Sequence, residues 1–307
     1  MKTLFAPLSG LPGIVAGIGF FDGVHTGHRA LIEAIKNKAR QKECASAVVT
    51  FRRHPREVLS SDYRPVLINT FEERIQLLSQ TGIDYTIVLD FDTKMSEMTS
   101  RDFMIYLRDH YNLKSLYIGY DHRFGHNRSE GFDDYLRHGK EVGVEIYNSA
   151  AEYLGHMPIS SSAVRRFLLE GDVEHASQML SYDYFLSGKV VAGYGIGRKI
   201  GFRTANIEVE DVHKLIPGNG VYAVYVTLPD KTPKKGMLNI GNRPTVHNST
   251  ERFVEVHIFD YEGDLYDKTI TISFAHYIRD ERKMADVETL KKQLEKDKEK
   301  ALSLLKQ

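Results

Sequence analysis

The 307-residue chain has one cysteine, Cys44, and no excess of either charge: 41 Lys+Arg offset 41 Asp+Glu, a formal net charge of zero. A single cysteine excludes an intrachain disulfide and fits a reducing compartment, and a thiol flanking a strand pattern reads as inert. Balanced charge removes any general electrostatic case for nucleic acid or an anionic membrane, so a bound anion must be gripped by a local site. The chain also lacks a run of about 18 apolar residues, so no transmembrane helix is expected. Its opening stretch, MKTLFAPLSGLPG, has no apolar core of the kind a secretory signal needs. Cytoplasm is the expected location. Internal repeats and low-complexity tracts are missing too.

What remains is ordinary globular composition, with 42% hydrophobic and 27% charged residues. The length suggests about two domains. From residue 14 to about 180, short apolar runs alternate with helix-period segments. IVAGIGFF (14–21), SAVVTF (46–51), YTIVLDF, SLYIG and VEIY read as strands. Between them lie helices, including one from about Arg29 with Leu31, Ile32, Ile35 and Ala39 on one face. Capping boxes are expected at Thr70/Glu73 and Thr99/Asp102. This alternation predicts an α/β doubly wound parallel sheet over residues 1–181.

From 182 to 307 the rhythm changes to six strand-like segments with turn residues between them, which predicts a small antiparallel β-barrel. A closing helix carries a stripe of Val287, Leu290, Leu294, Ala301 and Leu305, expected to pack on the barrel. The charge run EKDKEK (295–300) reads as its solvated face.

FFDGVHTGH (20–28) lies between the first strand and the next helix. In an open parallel sheet, ligands bind beyond the carboxyl ends of the strands. A helix start there offers free N–H groups and a partial positive charge. Gly27 admits a phosphate close to the backbone, and His25 and His28 can donate hydrogen bonds to it. Such donors typically contribute about 3–4 kcal/mol to a transition state. Two histidines alone make a poor zinc site, which needs three or four ligands. Further on, Ser160, Ser161 and Ser162 lead into a helix carrying Arg165. They are either helix caps or, with Arg165, a cradle for a leaving pyrophosphate.

GYGIGRKIGFRTANI (193–207) is glycine-rich but not a dinucleotide fingerprint, because no helix pattern follows. It is either a flap over phosphates or a bulged barrel corner. Thr204 and Asn206 fall on one face of a strand, and their oxygens suit Mg²⁺. Glu255, inside the apolar strand FVEVHIFD, faces either solvent or a site, where it could take a proton from a hydroxyl.

These segments carry a family resemblance. GFFDGVHTGH with ISSSAVR resembles the HxGH nucleotidyltransferase superfamily, and more narrowly the adenylyltransferase half of the prokaryotic bifunctional riboflavin kinase/FMN adenylyltransferases (FAD synthetases). FRRHP (51–55) resembles that family's Phe-x-x-His-Pro loop. GYDHRFGHNRSEG (119–131) resembles its Gly-x-Asp-Phe-x-Phe-Gly segment, with His122 in place of an aromatic. The glycine-rich stretch, GVYAVYV, NIGNRPTV and EVHIFDYEGDLY are similar to the riboflavin kinase domain, as is YIRDERKM (277–284). Arg203 stands where the family has proline, Asp267 where it has glycine and Met284 where it has phenylalanine.

The resemblance implies ATP-dependent phosphorylation of riboflavin to FMN, then adenylylation of FMN to FAD with release of pyrophosphate. ATP is co-substrate to both steps, FMN and FAD are intermediate and product, and Mg²⁺ is the cofactor. It implies catalytic roles for His25, His28, Arg165 and Glu255. Nucleotide contacts are implied at Phe20, Asp22, Gly27, Ser160, Ser161, Ser162, Gly193, Gly195, Gly197, Arg198, Thr204 and Asn206, the last two also holding Mg²⁺. Flavin contacts are implied at His54, Asp121, Arg123 and Arg279. His54 stands equally for a structural loop histidine, and Asp22 equally for a residue that positions its loop. Two other readings use the same residues: another HxGH nucleotidyltransferase with an inactive accessory barrel, and a flavin-binding regulator without turnover. No nucleic acid or membrane partner is expected.

Overall fold

A computed structural model describes residues 1–60, 62–119, 124–126, 130–193, 197, 200–244, 250–282 and 284–306, with backbone alone at 243, 244, 250 and 251. The chain forms two compact units, Met1–Ser161 and Ser162–Gln307.

The first unit is built on six parallel strands: β1 (Lys2–Leu4), β2 (Ile14–Ile18), β3 (Ala45–Phe51), β4 (Tyr85–Leu89), β5 (Leu113–Ile118) and β6 (Glu145–Asn148), in the order β1-β4-β3-β2-β5-β6. Helices α1 (Thr26–Gln41), α2 (Pro55–Leu59), α3 (Phe71–Ser79), α4 (Thr93–Glu97), α5 (Ser100–Tyr111) and α6 (Phe132–Val142) connect them. The expected doubly wound sheet is therefore present. β2 is buried at every position, as a strand covered on both faces must be. Gly17 is needed there because a Cβ would sit 2.5 Å from Ile35 Cδ1 of α1. β3 lies on one side of β2 and β5 on the other. The chain thus changes direction across the sheet at β2, and open α/β sheets place ligands at such a switch point.

The capping box at Thr70 forms as expected, with Glu73 N donating to Thr70 Oγ1 at 3.2 Å and Thr70 N donating to Glu73 Oε2 at 3.0 Å. At Thr99 only half of it forms. Asp102 N donates to Thr99 Oγ1, but the Asp102 carboxylate takes the hydroxyl proton of Thr99 at 2.7 Å. Aspartate is one methylene shorter than the glutamate this motif favours. The sequence pattern missed β1 and the small hairpin of β7 (Tyr153–Leu154) and β8 (Met157–Pro158), which are too short to show a period.

The second unit holds α7 (Ser161–Glu170, from its second residue), α8 (Val173–Leu180), a closed barrel and a final helix α9 (Val287–Leu304). The barrel strands are β9 (Phe185–Val191), β10 (Ala205–Glu208), β11 (Gly220–Thr227), β12 (Pro233–Pro244), β13 (Thr250–Ile258) and β14 (Thr269–Arg279), ordered β10-β13-β12-β11-β14-β9. All their pairings are antiparallel. Packing groups α7 and α8 with the barrel: Gly218 N donates to Leu168 O at 2.8 Å, and His276 Nδ1 lies 3.1 Å from Glu174 Oε1. The change of element type at 181/182 and the change of packing unit at 161/162 therefore fall at different places.

Helix α9 covers one face of the barrel, with Ala301, Leu305 and Leu294 against Ala223, Met237 and Phe259. Two details differ from expectation. Val287, at the first turn, is 59% exposed. Asp297, inside the supposedly solvated charge run, is 2% exposed. The cause is Arg279 of β14, which grips the Asp297 carboxylate through Nε at 2.9 Å and Nη2 at 2.7 Å, while Gln293 Nε2 donates to the same carboxylate at 2.9 Å. Removing one partner of a buried pair strands the other. Asp297→Ala should therefore destabilise the barrel by about 3 kcal/mol, the low end of the usual range because Arg279 keeps some water. Denaturant unfolding of the full chain reads this as an earlier barrel transition.

Candidate active sites

Strand β2 ends in a strained turn. Phe21 (φ 58) and Val24 (φ 39) are both left-handed and both buried. Such residues cost about 1–3 kcal/mol each and persist only where the surroundings enforce them. Asp22 does the enforcing. It is 4% exposed, and its Oδ1 accepts from Ile68 N at 3.0 Å and Asn69 N at 3.2 Å. Its own carbonyl accepts from Ser161 Oγ at 2.8 Å. Of the two roles open for Asp22, this geometry supports positioning of the loop.

Helix α1 starts at Thr26, three residues earlier than the sequence pattern suggests, because the His25 side chain is its N-cap. His25 Nδ1 accepts from His28 N at 3.3 Å. In its neutral form His25 must then carry its proton on Nε2, leaving that atom a donor. The two imidazoles stack with centroids 3.6 Å apart and 17° between planes, and Phe21 backs His28 at 5.1 Å. Gly27 fits this stack, since a Cβ there would lie 3.2 Å from His25 Nδ1. His25 is 5% exposed.

Beside this turn opens a cleft of about 820 Å³ at the carboxyl ends of the strands. Its walls are aromatic and sulfur-rich: Phe20, Phe51, His54, Phe91, Met95, Met98 and Phe124. His54 both lines the cleft and caps α2, its Nδ1 accepting from Arg56 N at 3.2 Å. Its ring stands edge-on to Phe20 at 4.8 Å. Asp121 and Arg123 lie outside the described residues.

Sequence reasoning passed over Arg74. It is 1% exposed, on the inward face of α3 with Leu77 and Leu78. Its guanidinium donates to Phe20 O at 2.7 Å and Phe51 O at 2.6 Å, so it ties the chain leaving β2 to the end of β3. It also lies 3.8 Å from the Phe20 ring centroid. Burial pushes its pKa down to about 10, opposed by the Asp22 carboxylate, and it stays charged at neutral pH. A lone arginine at a helical core position was the available signal.

In the second unit, Thr204, Asn206 and Glu255 line one cavity of about 300 Å³ beside α9. Thr204 immediately precedes β10, and Asn206 pairs in register with Glu255 of β13. Glu255 therefore lines a cavity, which favours the second of its two readings. Gly193 is packed so tightly on the Asn206 amide that any Cβ would overlap it. The chain turns back at Gly197, whose carbonyl accepts from Ile200 N at 3.1 Å and Phe202 N at 2.9 Å. Gly195 and Arg198 lie outside the described residues. Arg279 and Met284 also line the cavity. The Arg203 side chain reaches Glu262 O at 3.0 Å, and Asp267 adopts φ 61, a conformation glycine takes freely.

At the start of the second unit, Arg165 Nη2 lies 3.5 Å from Ser162 Oγ. Ser160 belongs to the first unit with Ser161. Among the described residues no three His, Cys, Asp or Glu side chains group as a metal site, so a cation here would depend on neutral oxygens and on its nucleotide. Among those residues, too, no helix is long and apolar enough to cross a membrane.

A parallel sheet with an HxGH turn, followed by a barrel with a Thr-x-Asn/Glu cavity, defines a two-domain transferase architecture. A family model described as FAD synthetase matches residues 9–163, and one described as riboflavin kinase matches 180–305. The chain is 35% identical over 286 residues to the bifunctional riboflavin kinase/FMN adenylyltransferase of Escherichia coli K12, covering 93% of this chain and 90% of that protein. It is 33% identical to the protein of the same description from Bacillus subtilis, covering 94% and 91%. A crystal structure described as a macrolide-efflux protein from Streptococcus pneumoniae superposes with a TM-score of 0.87 at 28% identity, over 98% of this chain and 99% of that one. The chain belongs to the bifunctional riboflavin kinase/FMN adenylyltransferase family.

His257 borders the barrel cavity, with Nδ1 donating to Arg203 O at 2.7 Å. Burial is the main cause holding its pKa below the ordinary 6.5, helped by Lys298 and opposed by the Arg203 hydrogen bond and by Asp260. Below pH 6.5 the unfolded chain takes up a proton that the native chain resists. Stability should therefore fall as pH drops through that value, at up to about 1.4 kcal/mol per pH unit. Calorimetry should show a shallower fall for His257→Gln than for the wild type.

Proposed function

We propose that the chain converts riboflavin to FAD in two steps at two separate sites. The observation that carries this is a pair of dissimilar polar arrangements: stacked imidazoles at a helix start in one unit, and a Thr204/Asn206/Glu255 cavity in the other. The substrates are riboflavin, FMN and ATP. Cytoplasm is the proposed location, which the ATP requirement and the single cysteine support.

In the barrel, Glu255 takes the proton of the riboflavin 5′-hydroxyl while that oxygen attacks the γ-phosphorus of ATP, yielding FMN and ADP. Thr204 Oγ1 and the Asn206 amide oxygen are hard donors fit to hold Mg²⁺, which when bound neutralises charge on the phosphate oxygens. Phosphate contacts at Gly193, Gly195, Gly197 and Arg198 are assigned on the strength of the family resemblance. Arg279 forms a wall of the flavin pocket, its fork held by Asp297. Thr204, Asn206 and Glu255 are all present in one cavity, which argues against a decayed kinase; the Arg203 side chain is turned to Glu262 O.

In the first unit, an FMN phosphate oxygen attacks the α-phosphorus of ATP and pyrophosphate leaves. No covalent enzyme intermediate is needed. His25 Nε2 and the His28 ring donate to the phosphate oxygens beside the positive start of α1. The aromatic cleft suits a flat isoalloxazine, with His54 and Phe20 on its wall; flavin contacts at Asp121 and Arg123 are assigned on the family resemblance alone. Ser160, Ser161, Ser162 and Arg165 are assigned to the pyrophosphate on the strength of the family resemblance. The functional boundary is placed at 181/182.

The two sites should fail separately. His28→Ala should slow FAD formation from FMN by roughly 10²- to 10³-fold and spare FMN formation. Glu255→Gln should do the reverse, and chromatographic separation of the flavins reads both. Loss of both steps in either folded variant contradicts two sites. Arg74→Lys keeps the charge but breaks the fork that holds Phe20 and Phe51. Loss of one charge-assisted bond predicts a KM for FMN raised about 10- to 100-fold, with the kinase step unchanged.

A further inference from the structure

Asn239 of β12 lies directly opposite Glu255 of β13, and on its other side it faces Val221 of β11. Directly opposed residues of antiparallel strands carry their side chains on one face, within about 4.5–5.5 Å at Cβ. Asn239, Glu255 and Asn206 thus form a polar row across three strands, and all three line the barrel cavity. Asn239 Oδ1 is buried and has no hydrogen-bond partner among the described residues. Its cross-strand neighbours offer it nothing: Val221 is apolar and an ionised Glu255 has no proton to give. Two residues earlier on the same face stands Met237, also a cavity wall. A buried amide oxygen in such surroundings normally finds a donor, so the ligand is the natural source.

A carboxylate and an amide oxygen side by side suit a ligand with hydroxyls on adjacent carbons, one hydroxyl to each acceptor. The ribityl chain of riboflavin is such a polyol. We infer that Asn239 contacts substrate and sets specificity in the kinase step. Its Oδ1 accepts a hydrogen bond from the 4′-hydroxyl, the neighbour of the hydroxyl being phosphorylated, and so aims the 5′-oxygen at Glu255. This rests on the kinase reading of the cavity, but assigns a residue that reading leaves out.

The test compares riboflavin with 4′-deoxyriboflavin as substrates for phosphorylation. Wild type should prefer riboflavin by about 10- to 100-fold in kcat/KM, the range expected for one buried hydrogen bond. Asn239→Leu, similar in volume but without an acceptor, should lose that preference by turning over riboflavin as slowly as the deoxy compound. If wild type itself fails to discriminate, the inference falls without recourse to any variant. Equal discrimination by wild type and a folded Asn239→Leu also overturns it. Glu255→Gln run in parallel separates the two claims: unimpaired phosphorylation by that variant defeats the kinase assignment of the cavity, and the role of Asn239 with it.

Discussion

A chain with no net charge that handles polyphosphates is under one constraint: every donor must be fixed by local backbone geometry, because no overall field draws the anion in. The two units meet it differently. In the first, the end of a buried parallel strand is bent through a left-handed turn so that a helix begins beside two stacked imidazoles. In the second, Gly193 is pressed onto the Asn206 amide of a closed barrel. One arrangement uses the start of a helix and the other uses the absence of side chains.

Both arrangements lean on paired or hydrogen-bonded buried charge. Asp22 and Arg74 brace the first turn from beneath, the carboxylate holding 68–69 and the guanidinium holding the ends leaving β2 and β3. Arg279 and Asp297 tie α9 to the barrel and so close one wall of the second cavity. Buried charges add little net stability when paired, but each fixes a geometry that hydrophobic contacts leave loose. The strain at Phe21 and Val24 persists because these partners hold it.

Much of this was legible from the residues. Alternating strands and helices, the six barrel strands and the Thr70 capping box follow from local periodicity and short-range chemistry, and they recur in the structure. The nearness of His25 and His28 at a helix start and the shared face of Thr204 and Asn206 were approachable through spacing, whereas the place of Glu255 beside them was left open by the strand pattern and implied only by the family resemblance. What escaped depends on tertiary pairing. Asp297 looks like one more solvated charge until Arg279 reaches it across the barrel. Asn239 opens the NIGNRPTV segment, but that resemblance gives it no role, and only the register with Glu255 places it in the cavity row. Arg74 was visible as an arginine among leucines, yet its targets are two carbonyls distant in sequence. The grouping of α7 and α8 with the barrel has no signature in periodicity, because the same helices would suit either partner.

The central claim is that the stacked imidazoles and the start of α1 grip the nucleotide phosphate at which FMN is adenylylated. A structure of the full chain with α,β-methylene-ATP tests it most directly. The account predicts α-phosphate oxygens within hydrogen-bonding distance of His25 Nε2 and of the first backbone N–H groups of α1. A nucleotide seated in the first unit with its α-phosphate away from both would contradict it.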